Sequence, residues 1–134
     1  MTQRKIRYGR EDLLQLSVVE YIRTAYPKVL FQSGVLSGMK MSIGQAVKAK
    51  KLGHNKGYPD LMIFHTNSKY SGLFIELKAD PEKLYTQTGE LRHSEHIDRQ
   101  ASIIDRLAEQ GYFACFACTL EEAVRYIDRY MRTK

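Results

Sequence analysis

Hydrophobic residues recur at steps of three and four near the start of the chain, the spacing of one face of an α-helix. Leu14, Val18, Ile22 and Ala25 follow this pattern, so we predict a helix over residues 11–25, which Pro27 would end. Shorter apolar runs, which are typical of buried strands, and further helical spacings complete the pattern. They predict strands at 29–32, 61–64, 73–78 and 112–118, and helices at 43–52, 95–110 and 120–131.

Polar and small residues mark where these elements begin and end. Residues 67–72 are turn-like, so the strands at 61–64 and 73–78 should pair as a hairpin. Ser94 is a helix cap, and Thr119 with Glu122 matches a capping box. Residues 80–92 read as a long polar connection. The resulting order, α-β-α-β-β-α-β-α, predicts an α/β fold.

Length and composition indicate one folded domain. The chain has 134 residues, of which 43% are hydrophobic and 27% charged, within the usual range for a single domain. We expect one domain over 1–134, with 1–9 as a flexible basic arm. No apolar run reaches the roughly 18 residues of a membrane span, and the start lacks a signal peptide's apolar stretch. Two cysteines fit a reducing compartment, so we expect a cytoplasmic protein.

Positive charge is concentrated in one region. The formal net charge is +6, and no acidic residue lies between Glu20 and Asp60. A localised basic surface attracts polyanions, most often nucleic acid, although a solvated lysine face without a partner explains the charge equally well. The residues of this region that we expect to contact DNA are Lys40, Lys48, Lys50, Lys51 and Lys56.

The ends of the predicted hairpin bring together residues that could perform chemistry. Side chains two apart on a strand share a face, so Glu76 and Lys78 should point the same way. A turn centred between residues 68 and 69 places Asp60 opposite Leu77, between those two side chains. Leu73, Ile75 and Leu77 would then point into the core.

Two carboxylates that converge in a partly buried place repel each other and require a counter-ion. Mg²⁺ accepts one or two carboxylates and readily contacts phosphate oxygens, while a nearby lysine can order an attacking water or offset charge on a phosphorane. The simpler interpretation is a surface ion pair between Lys78 and Asp60 or Glu76. The added turn at residues 57–60 and the basic region favour the chemical interpretation.

These residues resemble the signature of the PD-(D/E)XK nucleases. Gly57-Tyr58-Pro59-Asp60-Leu61, followed by Phe74-Ile75-Glu76-Leu77-Lys78, is similar to the motif of the VRR-NUC branch, the virus-type replication-repair nuclease domain. The segments at 11–19, 96–111 and 112–130 resemble other parts of that family. The resemblance covers nearly the whole chain and implies a restriction-endonuclease-like core, αβββαβ, with a mixed central sheet flanked by helices.

The resemblance also implies roles for individual residues. Asp60 and Glu76 would bind the metal together with the Leu77 carbonyl, and Lys78 would be the catalytic lysine. Glu11 would supply an acid from the first helix, with Glu20 as the alternative. We prefer Glu11 because helical spacing places it on the face of Gln15 and Val18. Gln100 would lie near the site and support Lys78 or a water.

The implied activity is hydrolysis of phosphodiester bonds by a DNA endonuclease that depends on Mg²⁺, for which Mn²⁺ could substitute. Standalone members of this branch resemble Holliday junction resolvases, which implies a homodimer acting on branched or four-way DNA. The resemblance to such members also implies that the protein works in a bacterial or phage-infected cell. Two alternatives remain open at this point. They are a nuclease that processes flaps or ends, and a non-catalytic DNA-binding protein in which the acidic cluster is an ion-paired brace.

A second pattern suggests zinc, but the strand geometry argues against it. Cys115 and Cys118 form a C-x-x-C, and His93 and His96 an H-x-x-H. An odd separation on a strand places the two cysteines on opposite faces, where they cannot chelate one ion. We therefore expect both cysteines to be small buried hydrophobic residues.

Overall fold

A computed structural model describes residues 7–34 and 41–134 of the chain. Its helices and strands follow the predicted order, with one short helix added after the hairpin. Their bounds are α1 (Arg10–Ala25), β1 (Phe31–Ser33), α2 (Ile43–Lys51), β2 (Leu61–Ile63), β3 (Leu73–Leu77), α3 (Pro81–Leu84), α4 (Glu95–Glu109), β4 (Phe113–Ala117) and α5 (Leu120–Arg132). The expected basic arm lies mostly outside the described residues, and residues 7–9 are exposed.

The strands form one mixed sheet in the order β1-β2-β3-β4. β1 pairs antiparallel with β2, and β2 pairs antiparallel with β3, as the predicted hairpin requires. β3 and β4 run parallel, which needs a crossover connection that α4 supplies. The mixed sheet with flanking helices confirms the predicted fold class.

Helices cover the two faces of this sheet. α1 and α5 pack on one face, where Val18 and Ile127 join the side chains of β2 and β3 in the main apolar cluster. Leu84, Ile97 and Cys118 form a second cluster on the other face, below α4. β3 is buried along its whole length, so the predicted burial of its apolar residues is confirmed.

The predicted helix caps are confirmed by hydrogen bonds. Ser94 Oγ accepts from the Ile97 N–H at 3.1 Å, which fixes the start of α4. Thr119 Oγ1 accepts from the Glu122 N–H at 3.1 Å at the start of α5, which is one half of the predicted capping box, and the described hydrogen bonds do not include the return bond from Glu122. Because these side chains satisfy N–H groups that have no partner within the helix, they hold both helix starts in place.

The connection at residues 80–92 is more ordered than the sequence predicts. It contains α3 and an isolated antiparallel bridge between Tyr85 and Leu91. Leu84 is fully buried against α4 and provides the apolar anchor of this segment. A single buried leucine among polar residues produces no periodicity, which is why the pattern predicted an irregular connection.

The inserted helix α2 stands outside the core. None of its residues is buried, and Ile43 and Val47 are 88% and 49% exposed. Ser42 caps it by accepting from the Gln45 N–H at 3.2 Å. Within the part of the chain that the structure describes, no helix has the length and apolar character needed to cross a membrane.

Candidate active site

Asp60 and Glu76 lie side by side where the hairpin opens, and both are buried, at 7% and 3% exposure. The register differs by one residue from the predicted one, because Leu61 pairs with Ile75. Continued by one residue, this register places Asp60 opposite Glu76 and not opposite Leu77. The prediction centred the turn between residues 68 and 69, whereas the observed pairs are centred on residue 68, the midpoint of the connection at residues 64–72.

Backbone and carboxylate groups lock the pair together. The Asp60 N–H donates to Glu76 Oε2 at 3.1 Å, and the Leu77 N–H donates to Asp60 Oδ2 at 3.1 Å. Each carboxylate therefore binds the backbone of the other strand. The two oxygens that remain, Asp60 Oδ1 and Glu76 Oε1, are the ones available for other partners.

Gln100 reaches this pair from α4. It is 4% exposed, and its Nε2 donates to Glu76 Oε1 at 2.7 Å. Sequence reasoning placed Gln100 near the site but expected it to support Lys78 or a water. The structure instead joins it to Glu76. Among the described residues, no group hydrogen-bonds the buried Gln100 Oε1, which leaves one acceptor without a partner beside the carboxylates.

Lys78 completes the charged cluster. Its Nζ lies 4.0 Å from Glu76 Oε1, and its side chain is only 14% exposed. Burial, together with the neighbouring Asp60 carboxylate, raises the pKa of Glu76 to about 9, against the opposing effect of Lys78. One ammonium at this distance does not offset the desolvation of two adjacent acids, so the pair holds a proton near neutral pH.

The first turn of α1 lies at the edge of this cluster. Arg10 Nη2 donates to the Ala79 carbonyl at 3.5 Å, just beyond Lys78. Gln15 Nε2 donates to the Gly34 carbonyl at 2.8 Å, and the Gly34 N–H donates to the Asp60 carbonyl at 2.6 Å. The face of α1 that carries Glu11 and Gln15 is therefore the one turned towards the site.

Glu11 itself is exposed, as is the alternative Glu20. In residues 7–34 and 41–134, no three side chains of His, Cys, Asp or Glu are grouped closely enough to hold a metal. Glu11 therefore stands apart from Asp60 and Glu76 in this structure. Its charge nevertheless acts on His96, which lies at the site.

A cleft of about 860 Å³ opens beside the buried acids. Asp60, Glu76 and Gln100 line this cleft, and the segment at residues 53–59 forms a further part of its wall. Gly57 in this wall has φ +91°, and a Cβ there would meet Arg99 Cγ at 2.8 Å. Only glycine fits this close approach, which fixes how the chain enters Asp60.

The expected DNA-binding lysines occupy two positions. Lys56 lines the cleft, whereas Lys48, Lys50 and Lys51 lie on α2 and do not line it. All four side chains are exposed. Lys40 lies outside the described residues.

His96 is a residue at the site that sequence reasoning missed. It lines the cleft with Gln100, and its Nε2 lies 3.3 Å from Lys78 Nζ. The only signal in the sequence is its separation of four residues from Gln100, which puts both on one face of α4. An isolated histidine at helical spacing is too common to be assigned from that signal.

The cysteines lie on opposite faces, as the strand spacing predicts. Cys115 packs against the cluster below α1 and α5, and Cys118 belongs to the cluster below α4. Burial raises the pKa of Cys115 to about 12, so the thiol stays protonated at neutral pH and is a poor metal ligand. His93 pairs with Asp98 at 3.0 Å.

The donor set at the hairpin end fits a hard divalent cation. Two adjacent buried carboxylates are the usual protein contribution to a Mg²⁺ site, whose remaining positions go to water and phosphate. The raised pKa of Glu76, and a Gln100 Oε1 that has no partner within residues 7–34 and 41–134, both fit a polar site that takes up a further polar or charged group.

The sheet order and its flanking helices are consistent with a restriction-endonuclease-like fold. The chain is similar to a solved structure of a VRR_NUC domain protein, with 26% identical residues and a TM-score of 0.63. This similarity covers 95% of this chain and 92% of that chain, and it supports a VRR-NUC domain, which at the level of the family implies a nuclease. No protein-family model matches the chain, and neither does any curated protein.

Proposed function

We propose that the protein is a divalent-metal-dependent DNA endonuclease that hydrolyses phosphodiester bonds. The observation that carries the proposal is the buried Asp60–Glu76 pair, with Lys78 Nζ 4.0 Å from Glu76 and an open cleft beside it. A purely structural brace would not need two adjacent buried acids, whose burial and then mutual repulsion raise the pKa of Glu76. A cation-binding site does need them.

Asp60 and Glu76, with the Leu77 carbonyl, would hold Mg²⁺ or Mn²⁺, and Glu11 would approach from α1. The bound cation would supply Lewis-acid polarisation of a water and of the phosphate. Gln100 fixes the orientation of the Glu76 carboxylate through its bond at 2.7 Å. Lys78 would orient the attacking water or stabilise the charge that develops on the phosphate oxygens.

The exposed lysines support DNA as the substrate. Lys48, Lys50, Lys51 and Lys56 lie in a stretch without acidic residues, beside or near the cleft. Contacts of lysine with phosphate position a duplex without reading its sequence. The proposal therefore assigns selectivity to DNA shape and not to base sequence.

We further propose branched or four-way DNA as the preferred substrate and a homodimer as the active form. The resemblance to resolvase-like members of the VRR-NUC branch supports this part of the proposal. A two-fold symmetric junction matches an isologous dimer, in which each active site would nick one strand.

The first experiment measures cleavage of labelled four-way junction, flap and blunt duplex with Mg²⁺, Mn²⁺ or EDTA. We expect cation-dependent cleavage by the wild-type protein, none by Glu76→Gln and only a small, measurable residual rate by Lys78→Met, while both variants still bind DNA in an anisotropy assay. Lys69→Met, in the connection at the other end of the hairpin, is the matched control and should cleave normally. Cleavage by Lys78→Met at the wild-type rate would refute the catalytic assignment.

The same assay separates the alternatives. Paired symmetric nicks in the junction, with a dimer in analytical ultracentrifugation, would support resolution. Preferred cutting of the flap by a monomer would favour end processing. DNA binding without cleavage under any cation would favour the non-catalytic alternative.

A further inference from the structure

α4 contacts both functional side chains at the end of β3. Gln100 donates to Glu76, and one helical turn earlier His96 Nε2 lies 3.3 Å from Lys78 Nζ. Because residues four apart lie on one face of a helix, a single face of α4 reaches the carboxylate and the ammonium together. The Glu76 carboxylate also accepts a hydrogen bond from the backbone N–H of Asp60. The described contacts of the Lys78 ammonium are with two side chains, those of His96 and Glu76.

The chemistry of the two groups fixes the direction of the hydrogen bond. A lysine ammonium can only donate, so Nε2 of His96 must be the acceptor and must carry no proton. Partial burial and then the positive charge of Lys78 lower the pKa of His96, and Arg99 acts in the same direction. The carboxylates of Glu11 and Asp60 act against this without reversing it. The neutral imidazole is thus the form that suits the observed contact.

We propose that His96 is a positioning residue that holds the Lys78 ammonium at the cleft beside Glu76. This inference rests on the proposed nuclease function, in which Lys78 acts on the attacking water or the phosphate. A lysine side chain has four rotatable carbon–carbon bonds, and the 4.0 Å contact with Glu76 alone defines its position poorly. Acceptance by Nε2 of His96, an exposed residue of α4 whose side chain has only two rotatable bonds, adds a second contact that defines this position.

The test compares His96→Leu, which removes the acceptor, with His96→Gln, whose side-chain oxygen can reach the place of Nε2. We expect His96→Leu to lower kcat by about 10- to 100-fold with little change in KM, the scale of a misplaced catalytic group. His96→Gln should recover most of this loss. His93→Leu is the matched control, because His93 precedes α4, is 86% exposed and does not line the cleft.

A double-mutant cycle separates positioning from a general structural effect. If His96 acts through Lys78, adding His96→Leu to Lys78→Met costs no further activity. Independent losses that multiply would overturn the inference, as would a His96→Leu enzyme within twofold of wild type, or a His96→Gln enzyme no better than His96→Leu.

A measurement that does not depend on DNA cleavage distinguishes this inference from the proposed function. Long-range ¹H–¹⁵N spectra of the histidine rings should show His96 with its proton on Nδ1 in the wild-type protein. Lys78→Met should shift the ring towards the Nε2–H form that free imidazole prefers. An unchanged tautomer would refute the contact, whereas a protein that shows the shift but cleaves no DNA would refute only the nuclease.

Discussion

Glu76→Gln should make the cation-free protein more stable at neutral pH, although it replaces a buried residue of the site. Burial and the Asp60 carboxylate raise the pKa of Glu76 to about 9 in the folded protein, while the unfolded chain ionises near 4.5. Between these values only the folded state retains the proton. The stability that Glu76 contributes is therefore complete below pH 4.5 and is lost as the pH rises towards 9.

The magnitude at pH 7 follows from the unfolded state. At pH 7 the pH lies about 2.5 units above the pKa of Glu76 in the unfolded chain, and each unit corresponds to roughly 1.4 kcal/mol. Ionisation of the unfolded chain therefore lowers the free energy of unfolding of wild type by about 3 kcal/mol, and glutamine, which does not ionise, avoids this loss. Glutamine can keep the contact with the Asp60 N–H through its oxygen. Its amide can donate to Gln100 Oε1, which has no partner among the described residues, once the Gln100 amide turns over and gives up its present donation to Glu76 Oε1.

The assay is urea unfolding followed by circular dichroism at pH 4, 5.5, 7 and 8.5 in EDTA. We expect Glu76→Gln to exceed wild type by about 3 kcal/mol at pH 7, or about 10 °C in Tm, and to match it at pH 4. Glu109→Gln, at the exposed end of α4, is the control and should follow wild type throughout. Mn²⁺ should then stabilise wild type but not Glu76→Gln. A variant that is equally stable or weaker at pH 7 would show that the folded protein tolerates the ionised pair and would refute the reasoning.

Three further predictions concern packing, an interhelical contact and charge. Gly57→Ala should lower the free energy of unfolding in urea by about 2–3 kcal/mol, because the added Cβ clashes with Arg99 and the residue keeps a strained positive φ. Gly53→Ala has the same strain but its Cβ meets nothing within 4 Å, so it should lower the free energy of unfolding by only about 1 kcal/mol. Equal losses would mean that the approach to Arg99 does not matter. Asp128→Asn should lower the free energy of unfolding by about 1–2 kcal/mol, because the Asp128 carboxylate accepts hydrogen bonds from the hydroxyls of Tyr21 in α1 and Tyr26 just after it. An unchanged midpoint in urea unfolding would contradict this prediction. DNA affinity should fall linearly on a log–log plot against salt, with a shallower slope when the α2 lysines are replaced by glutamine; an unchanged slope would remove α2 from the interface.

Most of the fold could be predicted because local signals agree with the tertiary structure. The apolar face of α1, the alternating strands and the side-chain caps at Ser94 and Thr119 each depend on only a few neighbouring residues. Leu84 shows where such reasoning ends. Its burial depends on Ile97 and Cys118, which are distant in sequence, so no local pattern marks it.

The sequence alone was enough to bring the two acids and the lysine of the candidate site together. It was not enough to predict which other groups they contact. The spacing of Glu76 and Lys78 on one strand fixes their common face whatever the rest of the chain does. Which group Gln100 holds depends on how α4 crosses the sheet, which its own sequence does not specify. The same crossing places His96 against Lys78, so this contact too could be found only in three dimensions.

The one-residue difference in register changes the physical character of the site. Asp60 opposite Leu77 would stand between Glu76 and Lys78, where the ammonium could screen the two acids from each other. Asp60 opposite Glu76 instead joins the acids directly through the Asp60 N–H, and Lys78 lies beyond Glu76 Oε1 at 4.0 Å. The lysine therefore cannot act as the counter-ion between the carboxylates. Because the acids face each other without a fixed cation between them, a proton takes that role in the protein alone. The divalent metal that we propose would compete with this proton, which would link the stability of the apoprotein to the proposed hydrolysis.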